Sequence, residues 1–219
     1  MEIRSKKIPL EIIKNHFLTY PKNVPNYFKN IPVLFEKNNP LSKTPKACSG
    51  VLNLYARSVS FTSPFDIQIN FSGDKWKAFV GAGDLGQKTV TDVPYEQLFK
   101  YKDNGKYKAI LKFNFGVTVQ SKYPIHLNNP WWELNDFEIV PGVLNCKNPL
   151  ELNFFMPIEK HVETLNITQG TTLYLITSEN NDKLKINFNT KPFNENLING
   201  LQYKFSTLKD KFLGRKFNV

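Results

Sequence analysis

The chain has 219 residues, 41% of them hydrophobic, with 18 Phe and 9 Tyr, which is material for one substantial domain with a packed interior. No stretch approaches the roughly 20 uninterrupted apolar residues of a membrane span, so no transmembrane helix is expected. The net charge is +10 and the isoelectric point near 9.4, but the lysines are scattered singly and often alternate with apolar residues. That is the solvent side of strands, and it argues against reading the charge alone as a nucleic-acid footprint.

In chain order, the opening "MEIRSKKIPLEII" lacks the apolar core and small-residue cleavage site of a secretory signal. Residues 1–45 read as an N-terminal arm, with a short helix over 10–18, "LEIIKNHFL", ahead of the proline-spaced "YPKNVPNYFKNIP". Cys48 and Cys146 lie far apart without a C-x-x-C partner, so reduced thiols in a cytosolic setting are expected. The N-x-S/T sequons at Asn70 and Asn166 then carry no weight. Residues 46–190 read as strands. "FDIQINF" places Phe65, Ile67, Ile69 and Phe71 on one face and Asp66, Gln68 and Asn70 on the other. "KFNFGVTVQ" repeats the alternation with Phe113, Phe115, Val117 and Val119, and "KLKINFN" with Leu184, Ile186 and Phe188. Further strands are expected at 51–60, 76–80, 137–140, 150–155, 163–167 and 171–177. "ETLNIT" and "TTLYLIT" flank Gln169-Gly170, which predicts a hairpin.

The C-terminus predicts a helix over 194–214. Asn194 or Asn196 caps it, Leu197, Leu201, Phe205, Leu208 and Phe212 form one apolar stripe, and Gly214 ends it. Lys204, Lys209, Lys211 and Arg215 ride on its polar sides, either as a solvated face or as a surface for a partner. The whole chain, 1–219, therefore reads as a single, mainly β domain: an antiparallel, jelly-roll-like β-sandwich with a short N-terminal helix and an amphipathic C-terminal helix.

Candidate chemistry is sparse. Gly81, Gly83 and Gly86 complete a G-x-G-x-x-G after the strand "KWKAFV". A dinucleotide site needs a helix N-terminus directly after the glycines, and Thr89, Val90, Thr91, Val93 and Pro94 deny it one. The motif reads as a loop. A jelly-roll metal enzyme, of cupin or 2-oxoglutarate oxygenase type, needs two histidines and a carboxylate on one ion. His126, His161 and Glu163 are the available set, with His161 and Glu163 spaced for one strand face. No G-x-S-x-G is present, neither cysteine has a nucleophile context, and Asp136 and Glu138 have only the spacing of solvent-facing strand residues. Trp131 and Trp132 follow Pro130 and cannot both point inward from an extended segment. One exposed indole would suit a sugar, a base or a partner protein.

Four segments carry a resemblance: "PNYFKNIP", "TPKACSGVLNLYARSVSFTSPFDIQI", "KFNFGVTVQSKYPIHLNNPWW" and "LELNFFMPIEKHVETLNITQGTTLYLI". In their order, over residues 20 to 190, the chain resembles an uncharacterised, domain-of-unknown-function family of β-rich proteins found in tailed phages and some bacteria. The resemblance implies a phage context and no catalytic residues or cofactor. The expectation is a non-enzymatic structural or binding protein of the virion, assembled in the host cytoplasm. Its partners would be other phage structural proteins or further copies of itself, with nucleic acid the weaker alternative. The alternatives are the metal-dependent enzyme built on His126, His161 and Glu163, and a carbohydrate- or nucleic-acid-binding module built on Trp131 or Trp132.

Overall fold

The computed structural model describes residues 1–34, 36–39, 41, 43–73, 75–81, 89–92, 106–130, 137–180 and 182–191. Within them the strands begin with β1 (Glu2–Ser5), β2 (Phe17–Thr19), β3 (Val59–Thr62), β4 (Ile67–Ser72), β5 (Lys75–Val80) and β6 (Val90–Asp92). They continue with β7 (Tyr107–Gln120), β8 (Ile125–Asn128), β9 (Gly142–Leu144) and β10 (Leu150–Glu159). β11 (Thr164–Ile167), β12 (Thr172–Ser178) and β13 (Asn187–Phe188) complete the set. The helices are α1 (Leu10–Lys14), α2 (Asn26–Asn30) and α3 (Ser49–Arg57). The chain is mainly β, and among the described residues β1–β13 is a parallel pair while the other ladders are antiparallel.

Three sheets result. The first runs β10-β7-β1-β13, with β6 also on β7; the second runs β2-β3-β12-β8-β9; the third runs β11-β4-β5. The alternating strands behave as their pattern predicts: Phe113, Phe115, Val117 and Val119 of β7 are all buried, and Ile67 and Ile69 of β4 are buried while Gln68 and Asn70 are exposed. The first two sheets meet through rings. Phe115 lies 5.8 Å from Phe61 of β3, Phe154 of β10 lies 5.6 Å from Tyr174 of β12, and Phe113 stacks on Phe154 at 4.7 Å. Each such ring removed from water contributes roughly 1.5–3 kcal/mol before entropy is counted.

The other face of the second sheet is covered by helices. Leu175 of β12 packs against Val24, Phe28 of α2 and Tyr55 of α3, a small core of its own.

Several expectations change. Residues 51–60 are not one strand: 49–57 form α3, and only 59–62 extend. Val51, Leu54 and Tyr55, spaced three and four apart, turn one helical face to the sheet, and that period overrides the β-branched Val51. The helix expected over 10–18 stops at Lys14, and Phe17–Thr19 become β2, paired with β3. Residues 137–140 form no strand, though the Val140 amide donates to the Phe155 carbonyl (2.9 Å). Of "KLKINFN" only Asn187–Phe188 pair as strand. Residues 1–45, expected as an arm, supply β1 between β7 and β13 and β2 at the edge of the second sheet. The helix expected over 194–214 lies outside the described residues.

The predicted hairpin is replaced by a corner. β11 pairs with β4 and β12 with β3, so the two strands around Gly170 belong to different sheets. The β3–β4 connection changes sheets at the same place. There the Ser63 amide donates to the Thr171 carbonyl (2.8 Å), the Gly170 amide to the Ser63 carbonyl (2.9 Å), and the Gln169 amide to Asp66 Oδ1 (2.7 Å). Gly170, at φ +88°, supplies the left-handed turn at this corner.

Candidate functional site

The proposed metal set is divided between elements. His126 lies on β8 in the second sheet, opposite Thr177 of β12 and Val143 of β9, and its buried Nε2 has no hydrogen-bond partner. His161 and Glu163 lie in the turn between β10 and β11. The His161 side chain is 78% exposed, with Nδ1 3.3 Å from Glu159 Oε2. Lys106 Nζ also reaches Glu159, at 2.8 Å, and this bond holds the Glu159 carboxyl below its usual range. Glu163 is exposed, and its backbone carbonyl accepts from the Phe71 amide (2.9 Å). Among the described residues no three His, Cys, Asp or Glu side chains gather as metal ligands.

Trp131, Trp132, Lys204, Lys209, Lys211 and Arg215 lie outside the described residues, as do Gly83 and Gly86 of the glycine motif and Asp136. Gly81 follows β5, and its amide donates to the Asp66 carbonyl (2.8 Å). Glu138 is exposed. Cys48 is exposed and Cys146 buried; burial pushes the Cys146 thiol up, toward its neutral form. Among the described residues no helix is long and apolar enough to cross a membrane.

Cavities open on the described surface at these places, among others. One of about 220 Å³ lies under the β10–β11 turn and includes Tyr107, Glu138, Glu159 and His161. One of about 460 Å³ spreads over the third sheet beside Gln68, Phe79 and Asn166. The third, about 400 Å³, is a groove in the helical layer with walls of Tyr20, Pro21, Val24, Phe28 and Leu52. Lys22, Lys29 and Lys46 complete its lining, and no acid is among the described residues that form it.

The groove is built by polar staples around a small apolar core. Asn23 Nδ2 donates to the carbonyls of Tyr55 (2.8 Å) and Ser58 (3.1 Å), filling needs that the end of α3 leaves open and fixing segment 20–24 against it. Lys46 Nζ donates to the carbonyls of Lys29 (2.7 Å) and Ile31 (3.2 Å), completing the end of α2 in the same way. Phe28 and Tyr55, 6.1 Å apart, then hold the floor. Two of the lining side chains stay in water: Tyr20 is 45% and Leu52 37% exposed.

Charge follows the same layer. From Phe17 to Phe65 the sequence carries Lys22, Lys29, Lys37, Lys43, Lys46 and Arg57 against the single acid Glu36. That is a balance of +5 from six bases and one acid, half of the chain's +10. Sequence reasoning missed this site because the lysines stand singly; a running charge over about fifty residues is the signal that exposes it.

No family model, curated protein or solved structure matches the chain.

Proposed function

We propose that the chain is a phage-encoded, non-enzymatic structural or binding protein, a virion component assembled in the host cytoplasm that acts through protein–protein contacts. Its sheets are proposed to form a jelly-roll-like β-sandwich, in keeping with the family resemblance of residues 20 to 190. The observation that carries this reading is the contrast between interior and surface. The space between the facing sheets, where a jelly-roll enzyme keeps its metal and substrate, is filled by Phe61, Phe113, Phe115, Phe154 and Tyr174. Partly exposed Tyr20 and Leu52 instead line an open, basic groove outside the sheets. A filled interior with a sticky, charged exterior suits a protein that works by contact.

Mass spectrometry of purified particles from the source phage tests it. The chain is expected at stoichiometric amount; its absence from the particles would count decisively against a virion role. A second reading, a carbohydrate-binding module, is supported by the third sheet, where half-exposed Phe79 stands opposite Gln68, with Asn166 on the next strand. Loss of glycan-array binding on Phe79→Ala is the result that reading requires.

A further inference from the structure

We infer that the groove between α2 and α3 docks an acidic, apolar-anchored segment of a partner polypeptide. This rests on the protein-contact reading and assigns that contact its place and chemistry. The lining divides into two functions. Pro21, Val24, Phe28 and Leu52 offer an apolar trough, and its volume of about 400 Å³ lies within the roughly 300–1,000 Å³ of pockets that enclose small ligands. An aliphatic or aromatic side chain entering it replaces water at Tyr20 and Leu52, which fold exposed in the unoccupied chain. Beside the trough stands exposed Lys22. Lys29 and Lys46, the latter seated on the Lys29 and Ile31 carbonyls, add to a lining whose described charged residues are all bases, so the complementary segment carries Asp or Glu beside its anchor.

Concavity decides between this partner and an anionic bilayer. A peripheral protein enters a bilayer with protruding apolar side chains above a basic face. Here the apolar floor is recessed: Phe28 is only 2% exposed and the lysines stand beside it. A nucleic acid would need a basic track with stacking rings or polar readers, whereas this lining is apolar with Tyr20 as its one exposed aromatic among the described residues.

The experiment selects peptides from a random display library on the full-length protein and measures their affinity by fluorescence anisotropy. Enriched peptides are expected to pair Asp or Glu with Leu, Phe or Trp and to weaken as salt is raised. Lys22→Glu and Leu52→Asp, both at exposed positions, are expected to lower their affinity roughly tenfold or more. Lys75→Glu, on exposed β5, leaves affinity unchanged. Far-ultraviolet circular dichroism and thermal midpoints matching the parent chain show that each variant is folded. Enriched peptides lacking the acid–apolar pairing, or binding equally to both groove variants, overturn the proposal. So does binding to phosphatidylserine vesicles with no acidic peptide enriched, which would make the face a membrane contact. A chain present in particles whose groove variants bind like the parent sinks the groove and leaves the virion role standing. A chain that binds as expected but is missing from particles does the reverse.

Discussion

β12 separates two cores of different kind. On one side Tyr174 and Ile176 join the large ring-filled cluster, which draws on nearly every described strand. On the other, Leu175 meets only Val24, Phe28 and Tyr55, with Ile31, Val51 and Leu54 at the margin. The first core is buried among strands of all three sheets. The second is roofed by two short helices and left open along the groove. One strand thus contributes to both clusters. The proposed contact face lies on the opposite side of β12 from the large core, and local stability is expected to differ between the two.

The largest effect should come from the ring-filled side. Phe154 touches the rings of Phe113, Phe115 and Tyr174, so Phe154→Ala is expected to lose about 3–5 kcal/mol in urea unfolding. Phe28→Ala, on the open side, is expected near 3 kcal/mol, because the loosely roofed layer can settle into the vacated space. Hydrogen exchange separates the two: Phe28→Ala should unprotect amides of α2 and α3 while those of β7 and β10 remain slow. Equal loss across all of them would mean that the helical layer and the sheets are one cooperative unit.

Glycine positions give a smaller, graded contrast. Gly116 in β7 has φ +69°, and a Cβ there would fall 2.6 Å from Lys7 Cγ. Gly170 at the corner has φ +88° but nothing within 4 Å of the added atom. Gly170→Ala should therefore show backbone strain alone, about 1 kcal/mol, and Gly116→Ala about 2 kcal/mol in thermal or urea unfolding.

The smallest effect is titration at His16. It is buried, its Nδ1 lies 2.9 Å from Thr62 Oγ1, and burial lowers its pKa below the usual histidine value. The neutral ring is thus favoured on folding. Its contribution is complete above the unfolded pKa of about 6.5 and is lost as pH falls through the folded pKa. His16→Leu should flatten that part of the profile when urea midpoints are compared at about pH 7.5 and about pH 5.

What the sequence made legible follows from what alternation encodes. Period-two patterning identified β4 and β7 and the inward side of each, because one face of each strand must leave water, and it placed strands at β11 and β12. It could not say which strand lies beside which. "ETLNIT" and "TTLYLIT" are as well matched to each other as to β4 and β3, and the choice is made at the corner by Ser63 and Asp66, a hundred residues upstream. α3 was read as strand because Val51, Leu52 and Leu54 are apolar enough for either; the buried Tyr55 that settles the matter finds its partner on α2. β1 was hidden for a simpler reason. Four residues, Glu2–Ser5, with charge at two of them, give little sign of lying in the middle of a sheet. Of the site residues, His126, His161 and Glu163 were visible as types but not as neighbours. The groove was invisible because it joins a loop, a short helix and the ends of α3 through backbone carbonyls, which any sequence supplies equally.

The most direct measurement is lysine cross-linking of intact particles followed by mass spectrometry. The account predicts cross-links from Lys22 or Lys29, beside the groove, to acid-rich segments of another polypeptide. A particle in which the chain is linked to its neighbours solely through Lys75 and Lys77 of the third sheet would contradict it.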